Sequence, residues 1–218
     1  MPDLARPRPT LLLLGGTTLL AVVVLALPAP ALGLRITAIV VAFHVGMLAL
    51  GRWAPGWPTA WAVLAPLSVL MVLPDWFLSA ELGTLVFPDT GAPFLGTVPV
   101  FMAGMWTMAL FPLVLLGDAV ESRGGPRAAL VAVAVAGLAL FWAAELLAPV
   151  VPLWEPVGVR LVGGVAAYVL PAEVVLAVAA WLLVRDVDSR PRVRTTAGVV
   201  LLPFCYLGLL ATSYQVLG

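Results

Sequence analysis

Apolar residues run along this chain in seven long blocks, at about 11–33, 36–51, 59–74, 98–117, 128–148, 161–184 and 195–217, and the gaps between them hold most of the charges. A bilayer core takes about 20 apolar residues of helix. The pattern therefore predicts an all-α polytopic membrane bundle of seven spans, in a single domain over residues 1–218. The second block is the weakest; Arg35 and Arg52 bound it and are long enough to snorkel to the membrane surface. The first block has a rival reading as a signal peptide, because "ARPRPT" precedes it and "ALPAPALG" follows, with an A-x-A site at Ala29 and Ala31. Its apolar run is longer than the usual signal core, which favours a retained helix; cleavage leaves six spans.

The polar gaps set an orientation. In the seven-span arrangement Arg6, Arg8, Arg52, Arg123, Arg127, Arg185, Arg190, Arg192 and Arg194 fall on one side, against Arg35 and Arg160 on the other. This positive-inside bias places the N-terminus in the cytoplasm and the C-terminal "SYQVLG" outside, as in a bacterial inner membrane protein. The acids divide differently. Asp118, Glu121, Asp186 and Asp188 share loops with arginines and read as solvated charges. Asp75, Glu81, Asp89, Glu145, Glu155 and Glu173 lie on or below the outer side, where basic residues are scarce.

Composition narrows the function. The chain is 63% hydrophobic and 10% charged, with a mean hydropathy of +1.13, which excludes a water-soluble fold around one core. Net charge is zero, so nothing points to a nucleic-acid partner; the expected surroundings are membrane lipid. There is no lysine, which excludes a retinal Schiff base, and the single cysteine, Cys205, makes no intramolecular disulfide. P-loop, H-E-x-x-H and G-x-S-x-G patterns are absent, as is any clustered His/Cys metal set. Nor is there a pair of aspartate-rich motifs to hold magnesium on a diphosphate, so no metal or cofactor is expected. No repeat of 20 to 50 residues and no inverted repeat is visible.

The stretch "VLPDWFLSAELGTLVFPDTGAP", residues 72–93, carries three acids and no base. It predicts a short helix or re-entrant segment over 75–83 that starts at Asp75, with the Asp75 carboxylate capping it after Pro74, followed by a turn in which Asp89 bonds its own backbone. Carboxylates at membrane depth are costly and mark functional sites, and crowding keeps at least one of a group protonated and available as a general acid. Asp75, Glu81, Glu145 and Glu173 are the catalytic candidates. Aromatics recur beside them: Trp76 and Phe77 follow Asp75, Phe141 and Trp142 precede Glu145 on its helix face, and Phe101 and Trp106 belong to the fourth block. These, with His44 in the second block and Tyr168 in the sixth, are the candidate substrate-binding residues. Aromatic faces hold positive charge by cation–π attraction. Packing and an interfacial aromatic belt are the competing account, which covers Trp53, Trp57 and Trp154. Pro66, Pro112, Pro171 and Pro203 interrupt spans and open space between helices.

Seven short spans in 218 residues, acids set in aromatic-rich outer segments ("PDWFLSAELG", "FWAAELLAP", "LPAEVV") and the missing diphosphate motifs together resemble the small integral-membrane terpene cyclases of meroterpenoid pathways. The resemblance is of overall pattern along the whole chain. It implies metal-independent cyclisation of a lipophilic isoprenoid substrate on a prenylated acceptor, launched by a Glu and an Asp, with a prenyltransferase acting upstream. The family's catalytic pair has no aligned counterpart here; the four acids named above come from burial and spacing. Two other classes fit part of the pattern: a proton- or cation-coupled transporter for a small or lipophilic solute, and an accessory subunit whose acids merely cap and pair.

Overall fold

The computed structural model describes residues 4–27, 31–189 and 191–218. Ala29, half of the proposed cleavage site, and Arg190, one of the arginines used for orientation, lie outside them. The chain is an all-α bundle: α1 (Pro7–Ala26), α2 (Leu32–Leu50), α3 (Trp57–Leu70), α4 (Val72–Trp76) with a π-helical turn (Phe77–Glu81), α5 (Met102–Leu147), α6 (Leu170–Arg185) and α7 (Arg192–Leu217). Among the described residues, α1, α2, Trp57–Glu81, α5 and α7 are each long and apolar enough to cross a membrane.

A straight helix of 46 residues would measure about 69 Å, twice what a bilayer needs, and α5 is not straight. It is two rods, 102–124 and 126–147, divided at Gly125 (φ 77°, ψ 177°), a conformation open essentially to glycine, with Pro126 behind it. The two rods, α3, α6 and α7 enclose the main core, and α1 packs on α2 at its flank. Between α3 and the first rod, Thr107 donates its N–H to Ser68 Oγ at 3.2 Å and its hydroxyl to the Leu64 carbonyl at 3.1 Å. This polar lock sits within an otherwise apolar contact.

Three segments depart from the sequence reading. The second helix begins at Leu32 rather than 36, and Arg35 folds back to donate to the carbonyls of Val24, Leu25 and Leu27, so a cation closes the C-terminal end of α1. Asp75 starts no helix: α3 and α4 run on through it as one rod to Glu81, Asp75 lies in the last turns, and no side chain caps α4. Gly83, at φ 63°, ends this rod, and the Leu82 N–H reaches the Phe77 carbonyl in a π turn. Residues 161–169, placed in a span, instead form the hairpin Leu161–Val162 with Val165–Ala166 and a turn, so α6 starts at Leu170 and Pro171 sits in its first turn instead of kinking it.

At one end of the bundle, Leu85–Val86 pairs antiparallel with Glu155–Pro156, tying the segment after the π turn to the α5–α6 connection. Phe94–Leu95 pairs with Val98–Pro99 in a further hairpin. Ser79 Oγ and Thr97 Oγ1, 2.6 Å apart, and Tyr168, which donates to Thr84 Oγ1 at 3.0 Å, fasten the same layer. It forms a lid over that end.

Candidate functional site

Beneath the lid lies a cavity of about 420 Å³ into which Asp75, Glu145 and Glu173 all face. Three different elements deliver them. Asp75 comes from the end of the α3–α4 rod, Glu145 from the last turn of α5, and Glu173 from the first turn of α6. The late start of α6 brings Glu173 to the level of Glu145, where a carboxylate also complements the helix N-terminus. The three side chains are 4%, 7% and 7% exposed, so each is withdrawn from water.

Their partners differ. Trp106 donates its indole N–H to Asp75 Oδ2 at 3.1 Å, and Trp154 donates to Glu145 Oε1 at 2.9 Å. Glu173 Oε2 is buried without a hydrogen-bond partner. Among the described residues, no arginine or histidine lines the cavity. An unpartnered buried carboxyl oxygen is costly, and a functional site is the usual reason to keep one.

Aromatics and sulfur complete the wall. Trp106 sits 5.9 Å from Phe141 and 5.8 Å, edge to face, from Tyr206, while Met102, Met105 and Met108 fill the adjoining face. The Trp106, Phe141 and Tyr206 rings border an apolar space whose polar side chains are the three acids, Trp106, Trp154 and Tyr206. Such a chamber has the chemistry to hold a lipophilic molecule, to exchange a proton with it and to face positive charge with π surfaces. Leu140 and Leu147, also in the wall, are 37% and 57% exposed, so one wall of the cavity borders the exposed apolar surface of the bundle.

The sequence candidates separate here. Asp75, Glu145, Glu173, Trp106 and Phe141 come together. Glu81 lies exposed at the end of the π turn, outside the cavity, and Trp76, also exposed, covers Gly96 in the lid. Phe77, Phe101 and Trp142 do not line the cavity; Phe101 belongs to a separate packing cluster with Ile36, Val40 and Val98. Tyr168 is buried beside the lid, bonded to Thr84, and stacks edge-on against Tyr214.

His44 has a structural place instead. Trp61 donates to its Nδ1 at 3.0 Å, which puts the proton on Nε2 and lets that atom donate to the Gly104 carbonyl at 3.1 Å. Both ring nitrogens are occupied in fastening α2 and α3 to α5. Two site residues escaped the sequence reading. Tyr206 stands alone as a polar aromatic in the middle of the apolar α7, three residues after Pro203, and that isolation was its signal. Trp154, assigned to an interfacial belt, is the donor on Glu145. Asp118 is no simple loop charge either: its Oδ2 accepts the N–H groups of Leu4 and Ala5 at 3.0 and 3.2 Å. Glu121 pairs with Arg185 at 2.9 Å.

Fold and site together define a protein of long apolar helices with a chamber of acids and aromatics. The chain belongs to the family of the domain of unknown function DUF6989, which matches residues 72–217, from the α4 strip that carries Asp75 to the end of α7. No curated protein and no solved structure matches it.

Proposed function

We propose that this protein is a metal-independent terpene cyclase that protonates an alkene or epoxide of a prenylated lipophilic substrate. The observation that carries the reading is the convergence of three buried carboxyls on one apolar, aromatic-walled cavity in which Glu173 Oε2 has no partner.

Three anions cannot share so small an apolar space without a cation, so part of the set is neutral. Asp75 and Glu145 each accept an indole N–H, whereas Glu173 Oε2 has no donor, so this reading assigns the transferred proton to Glu173. Its O–H gives that proton to an alkene carbon, forming a C–H bond and a carbocation, or to an epoxide oxygen, opening a C–O bond. A neighbouring alkene closes the ring by giving its π electrons to the cation. Asp75 or Glu145 then takes a proton from the adjacent carbon, leaving an isomer of the substrate. Trp106, Phe141 and Tyr206 face the migrating charge, and the lid excludes the water that quenches it.

In this reading the two rods of α5 span separately, giving seven spans with the N-terminus in the cytoplasm and the C-terminus outside, in a bacterial inner membrane. The substrate enters from the lipid past Leu140 and Leu147, supplied by a prenyltransferase. The test is incubation of detergent-purified protein with farnesylated and geranylgeranylated acceptors and their epoxides, followed by mass spectrometry. Isomeric products that disappear in Asp75→Asn and Glu145→Gln support cyclisation. No conversion across the panel, together with proton-dependent solute uptake into vesicles, overturns it in favour of a transporter.

A further inference from the structure

A second recess lies at the opposite end of α1. It is a groove of about 720 Å³ lined by Arg6, Arg8 and Arg52, with Trp53, Leu12 and prolines. The arginines reach it from two distant parts of the chain, and the fold fixes their meeting. Leu4, just before α1, is buried in the main core; its N–H and that of Ala5 bind Asp118, and its carbonyl accepts the Trp57 indole N–H at 2.9 Å. This clamp sets the residues that follow. Arg6 Nη1 donates to the Trp53 carbonyl at 3.2 Å, and the Arg52 guanidinium stacks 4.1 Å from the centre of the Trp53 ring.

Two of the three cations are thus held by the same tryptophan, and among the described residues no acid lines the groove. Three guanidinium groups converge on the groove, and an anion that joins them relieves their mutual repulsion. Their forked donors suit phosphate oxygens. The groove also leads onto apolar surface: Leu12, one turn beyond Arg8, is part of its wall and 57% exposed, and Leu11 and Leu19 on the same helix are 72% and 64% exposed. A phosphate group followed by an acyl chain fits both halves.

We infer that this groove binds an anionic phospholipid, with the headgroup phosphate on Arg6, Arg8 and Arg52 and an acyl chain along Leu12. The site is separate from the carboxyl chamber, so it stands whatever the chamber does.

The test uses the full chain in detergent. Thermal unfolding is followed with added phosphatidylglycerol, with phosphatidylcholine, and with inorganic phosphate. Phosphatidylglycerol is expected to raise the midpoint by about 2–4 °C over phosphatidylcholine, a shift ordinary for weak ligand linkage in a chain of this size. The double variant Arg8→Gln with Arg52→Gln should lose the difference, while Arg192→Gln with Arg194→Gln, which removes equal charge elsewhere, should keep it. Should the first pair fail to fold, Arg8→Lys with Arg52→Lys serves, and a reduced but present difference is expected. An undiminished difference in the altered groove, or equal loss in the control pair, overturns the site. A shift reproduced in full by inorganic phosphate overturns the lipid as its source.

Discussion

Trp106 belongs both to the packing and to the proposed chemistry: its N–H holds Asp75 while its ring contacts Phe141 and Tyr206. Trp106→Phe keeps much of the ring and removes the donor. A hydrogen bond to a charged group contributes about 1.5–3 kcal/mol, so turnover should fall roughly 10- to 100-fold while the protein stays folded, as read by product formation beside a melting curve. Equal activity in the variant would show that the indole N–H is irrelevant to Asp75. Asp75 and Glu145 were legible as unpaired acids near aromatics, because the side lacking arginine is visible in the order of residues alone. Their donors were harder to read. Trp106 and Trp154 lie 31 and 9 residues from the acids they hold; the packing of α5 against the α3–α4 rod brings Trp106 to Asp75, and the fold-back of the α5–α6 connection brings Trp154 to Glu145. Glu81 misled because adjacency in sequence to Asp75 says nothing about which side of a rod a carboxyl leaves.

At the level of elements, two glycine sites decide the architecture. Gly163 and Gly164, at φ 58° and 84°, turn the hairpin that delays α6 and lifts Glu173 to the level of Glu145. A Gly-Gly pair between "LV" and "VA" is a hairpin signal, yet the apolar run around it read as continuous span. Gly125 is the second site, where α5 breaks. A side chain added there meets nothing within 4 Å, so the cost of Gly125→Ala is backbone strain alone, about 1–3 kcal/mol. The melting temperature should fall, whereas Gly15→Ala, which also meets nothing within 4 Å and has an ordinary helical backbone, should leave it level or raise it. Similar behaviour in the two variants would mean that α5 needs no break.

For the molecule as a whole, helical class and apolar surface were plain from the blocks of hydrophobic residues, and helix ends were not, because an apolar run does not distinguish a span from the apolar hairpins of a lid. The proposed orientation gives a direct prediction. In intact cells carrying the Cys205→Ser background, a membrane-impermeant maleimide should label Asp89→Cys and spare Asp188→Cys until the membrane is opened; both positions are exposed. Labelling in the reverse order contradicts a cytoplasmic N-terminus in the seven-span arrangement. Lipid binding near Arg8 and Arg52 would then lie on the opposite face from the carboxyl chamber, which separates anchoring from chemistry along the membrane normal.

The central claim is that a proton from Glu173 enters the substrate and another leaves it. Turnover of a prenylated acceptor in deuterium oxide tests this most directly. The account predicts a product isomeric with the substrate in ordinary water, carrying a single non-exchangeable deuterium on carbon when an alkene is protonated or a hydroxyl at the opened oxygen when an epoxide is, and absent in Glu173→Gln. An unlabelled product from a non-epoxidised substrate, or labelled product formed at the full rate by Glu173→Gln, would contradict it.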